Sequence, residues 1–256
     1  MSLLPVGRCI YCGATAASGG GLADEHIVPF GLEGRLVLPQ ASCSGCSKIT
    51  CRTEGIVLRA MLGTARAHLG MATRRPKERP KDFSVWLGEF QRKLLVPLEQ
   101  HPHYLALPGY EPADILSGVI GNDRENWHGT WNCSLNDLAH ARHYLSGAYW
   151  TENFINIQAF ARMLAKIGHG FAVAQWGLEG FKPLVPDVIL RRSHRWFRYV
   201  GGRMTGTLLQ PGERAHNVLR SGWWPTLGGM RLVVEVQLFA NLGAPVYHVV
   251  VGDPAD

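Results

Sequence analysis

Several features of membrane and secreted proteins are missing from this chain. Its apolar runs fall well short of the roughly 20 residues that span a bilayer. The first residues, Met1-Ser2-Leu3-Leu4-Pro5, lack the charged region and the long apolar stretch of a signal peptide. Internal repeats and low-complexity segments are also absent. These absences predict a globular protein of the reducing cytoplasm that does not enter a membrane.

Acidic residues are also scarce. The 256 residues include 20 Asp and Glu against 26 Lys and Arg, which gives a net charge of +6 and an isoelectric point near 9.1. Such an excess favours a polyanionic partner, although many basic proteins bind none. A chain of this length can form one large domain, or a small and a medium one.

Cysteines are few, and their spacing favours a metal over disulfides. Four of the six form two Cys-x-x-Cys pairs, thirty residues apart. These pairs are Cys9 with Cys12, and Cys43 with Cys46. They match the closed tetrahedral sites of structural zinc, so we expect the four thiolates to hold one Zn²⁺ with no position open for catalysis. The alternative is a coincidental set of buried thiols; Cys51 and Cys133 lie outside the pairs.

A carboxylate and a histidine lie between the two pairs, in the run Asp24-Glu25-His26-Ile27-Val28-Pro29. Carboxylate oxygens suit a hard cation such as Mg²⁺ or Mn²⁺. An imidazole with an unperturbed pKa of roughly 6.5 can take a proton from water. The run therefore predicts metal-assisted hydrolysis, with Glu25 as metal ligand and His26 as general base. Strand alternation places Asp24 on the other face, and His26 has the alternative of a buried or DNA-contacting histidine.

Two motifs resemble those of the HNH endonucleases. One spans residues 9–13 and reads Cys-Ile-Tyr-Cys-Gly; the other spans residues 25–29 and reads Glu-His-Ile-Val-Pro, where that family has Asp-His-Ile-x-Pro. The resemblance is closest to a bacterial branch that shares both runs, and its motifs cover residues 9 to about 56. It implies a zinc-clamped ββα unit that hydrolyses DNA with one divalent ion, Mg²⁺ or Mn²⁺, bound by Glu25, and with His26 as the base. RNA is an alternative substrate.

The chain departs from the HNH pattern at two positions. The family has an Asn between the hairpin strands that orients the base; here no Asn occurs between Ile27 and Cys46, and Gln40 is the possible substitute. The family's last metal ligand is replaced by Ser47, so Glu54 becomes the candidate second carboxylate, with an exposed helix charge as its alternative. These departures motivate a second hypothesis, a catalytically impaired, zinc-dependent module that binds nucleic acid or a protein partner.

A basic segment occupies residues 71–81. Pro76 and Pro80 prevent it from continuing a helix. Its basic residues are Arg74, Arg75, Lys77, Arg79 and Lys81. Arginine can donate two hydrogen bonds to one phosphate, so the segment predicts contacts with a nucleic-acid backbone; the alternative is a solvated linker.

The predicted fold is α+β. Residues 1–70 are expected to form a small zinc-stapled ββα domain, residues 71–81 a linker, and residues 82–256 a larger mixed α/β domain of unknown function, with a sensor or protein-contact role as a third hypothesis. Helices are predicted from residue 44, at 137–146 and at 151–176, the last capped by Thr151 and interrupted near Gly168 and Gly170. Strands are predicted at 35–39, 83–87, 93–98, 188–190, 196–200, 232–240 and 247–251.

Other histidines and tryptophans carry weaker signals. The pairs His101/His103 and His140/His143 are expected to be exposed and to lack a partner, rather than to bind a metal. The neighbours Trp223 and Trp224 are predicted to pack in the core, with a base-stacking platform as the alternative.

Overall fold

The structure is a computed structural model that describes residues 3–18, 21–87, 92–119, 125–135, 149–150 and 154–255. The predicted helix at 137–146, which carries His140 and His143, lies outside the described residues, as does the predicted cap Thr151. None of the described helices is both long and apolar enough to cross a lipid bilayer.

The N-terminal region contains the predicted order of strand, strand and helix. Strand β1 (Leu22–His26) pairs antiparallel with β2 (Val37–Cys43), and Glu25 lies opposite Leu38. The second strand thus starts two residues later than predicted and runs directly into helix α1 (Ser44–Gly55). A π-helical turn (Ile56–Met61) and helix α2 (Gly63–His68) extend α1. Gly70 then ends the helix at a positive φ of 64°, a conformation that glycine adopts without strain.

The longest helix, α4 (Ile157–Trp176), is the centre of the molecule. It begins where the side chain of Asn156 accepts a hydrogen bond from the Ala159 amide at 2.8 Å. The helix is buried over most of its length and packs against α1 and against two C-terminal strands, β11 (Gly229–Leu238) and β12 (Val246–Pro254). Gly168 and Gly170 do not interrupt it, which corrects the prediction. Glycine suits position 168, because a Cβ there would lie 2.9 Å from Cβ of Val249.

The C-terminal sheet covers α4. Its strands are β8 (Phe181–Pro183), β9 (Val200–Arg203), β10 (Asn217–Thr226), β11 (Gly229–Leu238) and β12 (Val246–Pro254). The order is β10-β11-β12-β8, all antiparallel, and β9 also pairs with β12. The predictions of strands at 232–240 and 247–251 are confirmed, whereas β10 was not predicted.

Two predicted strands are wrong. Residues 188–190 belong to and follow the short helix α5 (Pro186–Ile189), and residues 196–200 are mainly a 3-10 turn (Trp196–Arg198). Pro186 stands in the first turn of α5, where its missing N–H is harmless and its fixed φ suits a helix. Pro186 therefore favours a helical turn, although the β-branched residues Val188 and Ile189 that follow it favour a strand.

Two smaller sheets precede the central helix. Strands β3 (Asp82–Leu87), β4 (Arg92–Pro97) and β7 (Tyr149–Trp150) form one, which confirms the strands predicted at 83–87 and 93–98. Strands β5 (Tyr104–Tyr110) and β6 (Trp127–Ser134) form the other. The short helix α3 (Asp114–Ser117) lies between β5 and β6 in the chain. The described elements therefore fit the α+β class.

His101 and His103 are buried, contrary to the expectation of an exposed pair. Their Nδ1 atoms lie 3.3 Å apart, and their Nε2 atoms face the backbone oxygens of Ser84 at 3.2 Å and Leu98 at 3.0 Å. Burial lowers the pKa of both imidazoles, that of His103 to about 4, so both are neutral near pH 7. The sequence did not predict this arrangement, because the carbonyls of Ser84 and Leu98 reach the two histidines only through the tertiary fold.

One hydrophobic cluster connects the two ends of the chain. It includes Ile27 and Val57 from the N-terminal region, Phe160 from α4, and Tyr247 and Val249 from the C-terminal sheet. Residues on both sides of the basic segment thus share buried contacts. Whether residues 1–70 and 82–256 fold independently stays a prediction.

Candidate metal centre and nucleic-acid cleft

The four cysteines of the two pairs converge on one point. Their sulfur atoms all lie within 4.8 Å of one another, and Sγ of Cys12 is 3.7 Å from Sγ of Cys43. Four sulfurs around a zinc ion at about 2.3 Å would be roughly 3.8 Å apart, so the cluster fits a structural metal such as zinc. Among the described residues, no other group of three or more His, Cys, Asp or Glu side chains is close enough to hold an ion.

Local backbone structure positions these sulfurs. The first pair lies on a tight turn in which the Gly13 amide donates to the Cys9 carbonyl at 2.8 Å. Cys43 is the residue before α1, and Cys46 lies in its first turn. The Cys46 amide lowers the pKa of Cys43 to about 7, whereas burial raises the pKa of Cys9 and of Cys46. A bound cation would offset that burial, because a coordinated thiol is deprotonated.

The cluster of Cys9, Cys12, Cys43 and Cys46, here called the cysteine clamp, is attached to the core of the protein. The Ile10 amide donates to the Ala41 carbonyl of β2 at 2.9 Å, and the Ile10 carbonyl lies 2.7 Å from Nε2 of His169 on α4. His169 is fully buried. The clamp is therefore fastened both to the hairpin and to the central helix.

Glu25 and His26 close strand β1 and line a cleft of about 1200 Å³. The His26 ring is half-buried and meets the Phe30 ring edge-on, with 6.0 Å between the ring centroids. Its Nδ1 is buried and has no hydrogen-bond partner among the residues that the structure describes. The structure therefore leaves one ring nitrogen of His26 buried and unpaired within the described residues.

Gln40 does not take the place of the orienting Asn within the described contacts. It is exposed, has a φ of 51°, and lies in a bulge where its backbone amide donates to Oδ1 of Asp24 at 3.1 Å. Asp24 is therefore engaged by the hairpin itself, although it lines the same cleft as Glu25.

Lys166 of helix α4 joins the two candidate carboxylates. Its Nζ lies 2.9 Å from Oε1 of Glu25 and 2.8 Å from Oε1 of Glu54. It also donates to the backbone carbonyls of His26 and Ile27. The structure thus brings the two glutamates together around one nitrogen, and Glu54 is not the plain exposed helix charge that the sequence left open.

The electrostatics of this group favour a charged lysine. Burial by itself would lower the pKa of Lys166, but Glu54 and Glu25 outweigh it, so the pKa is raised above its ordinary value. Burial, with the same two carboxylates, raises the pKa of Tyr11 well above its usual range, so the phenol stays neutral. Two carboxyl groups and one ammonium thus meet in this buried cluster.

The cleft also contains part of the basic segment. Of its five basic residues, Arg74, Arg75 and Arg79 line the cleft, and Lys77 and Lys81 do not. Ser47 and Glu54 line the same cleft. Arg75 pairs with Glu78 at 3.3 Å, and Arg79 donates to the Met71 carbonyl. Candidate catalytic side chains and exposed arginines therefore share one surface.

The two tryptophans with base stacking as their alternative role lie elsewhere. Trp223 and Trp224 belong to β10 and are half-buried. Trp223 meets Trp176 edge-on at a centroid distance of 5.9 Å, and Trp224 meets His248 at 5.2 Å. Neither lines the cleft, and both are partly buried side chains that pack against the core rather than within it.

Sequence reasoning missed Lys166, the residue closest to both carboxylates. The signal was present, because Arg162, Lys166 and His169 recur at four- and three-residue spacing in an otherwise apolar helix. All three are buried. Polar residues on the buried face of a helix require partners, and those of Lys166 and His169 come from the N-terminal region.

No protein-family model, no curated protein and no solved structure matches this chain. The functional interpretation therefore depends on the chain's own residues and on their geometry.

Proposed function

We propose that this protein is an HNH-like endonuclease that hydrolyses phosphodiester bonds of DNA. The observation that carries the proposal is the shared cleft. His26, Glu25 and Glu54 line it together with Arg74 and Arg75. A general base, a pair of carboxylates and phosphate-binding cations are the groups that such a reaction needs on one surface.

His26 is the proposed general base. It takes a proton from a water molecule while the water oxygen bonds to phosphorus and the bond from phosphorus to the 3′ oxygen breaks. The leaving oxygen takes a proton from solvent, so the products carry a 5′-phosphate and a 3′-hydroxyl. A positioned base contributes on the order of 10²–10⁴-fold to the rate.

Glu25 and Glu54, with Ser47 at the same cleft, are the proposed ligands of a divalent ion. Their oxygens fit Mg²⁺ or Mn²⁺ by donor type. When bound, such an ion would supply charge stabilisation at the phosphate and the leaving oxygen. The ion would have to share the two carboxylates with Lys166, which already contacts one oxygen of each.

The arginines position the substrate rather than select its sequence. Arg74 is exposed and lines the cleft, so its guanidinium can pair with a phosphate. Backbone contacts of this kind fix the register of a nucleic acid and carry no base information. They also suit RNA, so the comparison of DNA and RNA substrates belongs to the test.

The test is the chemistry of the cut ends. Zinc-loaded protein is incubated with supercoiled plasmid, and in parallel with single-stranded DNA and RNA, in Mg²⁺, in Mn²⁺ and in EDTA. We expect nicked or linear DNA whose ends accept ligation directly, as 5′-phosphate and 3′-hydroxyl ends do. Intact DNA under every condition, from a preparation that binds it, would contradict the proposal.

A second candidate function is a zinc-dependent binding module without catalysis. The observation that favours it is Lys166, whose ammonium already neutralises part of the carboxylate charge that would attract a metal ion. This candidate predicts salt-sensitive DNA binding with no turnover in any divalent ion.

A further inference from the structure

We propose that the ammonium of Lys166 is the resident cation of the Glu25–Glu54 pair, so that the native protein binds a divalent ion there only weakly. The inference deepens the proposed function, because it names the cation at the same site. It rests on contacts that exist whether or not the protein cleaves DNA.

The surroundings of Nζ resemble those of a hard cation. Carboxylate oxygens of Glu25 and Glu54 lie at 2.9 Å and 2.8 Å, the Ile27 carbonyl lies at 3.3 Å, and the His26 carbonyl accepts a further hydrogen bond. Negatively charged and carbonyl oxygens are also the preferred ligands of Mg²⁺ and Mn²⁺. The ammonium thus uses the oxygens that would otherwise attract the metal.

Lys166 cannot easily leave this position. Only 2% of the residue is exposed, and it lies on the central helix. Behind the carboxylates it borders a pocket too small for a water molecule, together with Thr53, Arg162 and Ile189. Moving the charged group to another buried position would remove its partners at a large desolvation cost.

A divalent ion on the cleft side would therefore act beside a fixed positive charge. Both cations would share the same two carboxylates, and burial reduces the screening of their repulsion. Arg162 adds a second positive group to the surroundings of Glu54. Neutralising Lys166 should expose the full charge of the carboxylate pair and create a stronger site for a divalent ion.

The experiment measures Mn²⁺ binding to zinc-loaded protein by electron paramagnetic resonance, in the absence of nucleic acid. The proteins are wild type, two neutral variants (Lys166→Met and Lys166→Gln), the charge-retaining control Lys166→Arg, and Lys166→Met combined with Glu54→Gln. We expect a neutral variant to bind one Mn²⁺ at least tenfold more tightly than wild type. Lys166→Arg should resemble wild type, and the double variant should lose the gain.

Several results would overturn the inference. One is a neutral variant that folds, retains zinc and binds Mn²⁺ no better than wild type. Another is an equal gain in Lys166→Arg. The wild type alone gives a further test that needs no altered lysine, because a micromolar Mn²⁺ site that disappears in Glu54→Gln would show that the pair accepts metal beside the ammonium.

The outcome is separable from that of the proposed function. Mn²⁺ binding is read without DNA, so a protein that never cleaves DNA can still show the gain on neutralising Lys166. Conversely, cleavage that depends on His26 would stand even if Mn²⁺ bound wild type and variants equally.

Discussion

His169 should make the stability of the protein depend on pH below about 6.5. Its ring is fully buried, and burial lowers its pKa from 6.5 to about 4, partly opposed by the carbonyl of Ile10. Between these values the unfolded chain binds a proton that the folded protein excludes. Stability is therefore complete above pH 6.5 and falls as the pH decreases toward 4.

The magnitude follows from the difference between the two pKa values. One pKa unit corresponds to about 1.4 kcal/mol, so this histidine removes about 2 kcal/mol from the free energy of unfolding between pH 7 and pH 5. It removes about 3 kcal/mol once the pH reaches 4. His103 has a similarly lowered pKa and adds to the loss in the same direction.

The perturbation is His169→Gln, which keeps an N–H that can donate to the Ile10 carbonyl but cannot titrate. Urea unfolding of zinc-loaded wild type and variant is compared at pH 7 and pH 5. Zinc release at acid pH affects both proteins, so the informative quantity is the difference between their two pH dependences. We expect the variant to lose about 2 kcal/mol less than wild type over this interval. Equal losses would show that His169 does not titrate as its burial requires.

Three further predictions address the clamp, the core and the basic segment. Removing zinc with a chelator should abolish the cooperative unfolding transition in calorimetry, because two of the cysteines, Cys9 and Cys46, belong to the main hydrophobic cluster. An unchanged transition would refute this prediction. Gly168→Ala should cost about 1–3 kcal/mol in urea unfolding because its Cβ would approach Val249 to 2.9 Å. The matched Gly170→Ala, with 3.5 Å to Ile27, should be neutral or slightly stabilising. Replacing Arg74 and Arg75 with alanine should reduce the slope of log K for DNA binding against log salt concentration by up to about two units, equally for all DNA sequences. An unchanged slope would indicate that the segment is only a linker.

The cysteine cluster and the hairpin were predictable because their signals are local. The two cysteines of each pair lie within one turn of the chain. A four-cysteine metal site also requires the two pairs to lie next to each other in the fold. The start of α1 at Ser44 follows the same logic, since Cys43 and Cys46 bracket its first turn. These features depend on residues close in sequence or on a known ligand geometry.

The surroundings of the carboxylates were not predictable in the same way. Lys166 lies about 140 residues after Glu25 and His26 in the chain, and no periodicity specifies where a helix face will meet a hairpin. Its burial among apolar neighbours indicated only that it needed a partner. The identity of that partner is a tertiary fact, as is the contact of His169 with Ile10.

Local propensity misled where tertiary pairing or a proline decided the structure. The strand Asn217–Thr226 contains Gly222 and Pro225, which weaken a strand signal, yet it pairs along its full length with β11. Conversely, the aliphatic residues after Pro186 resemble a strand but continue a helical turn. Both errors reflect the dependence of β structure on neighbours that the sequence does not display.

The most direct test of the central claim compares DNA cleavage by wild type and His26→Ala. Both proteins must carry one zinc ion and unfold at the same temperature, and the exposed His194→Ala serves as a matched control outside the cleft. We expect the His26 variant to bind DNA normally and to cleave on the order of 10²–10⁴-fold more slowly, while the control cleaves like wild type. Equal cleavage rates for wild type and His26→Ala would contradict the assignment of His26 as the base and, with it, the proposed site.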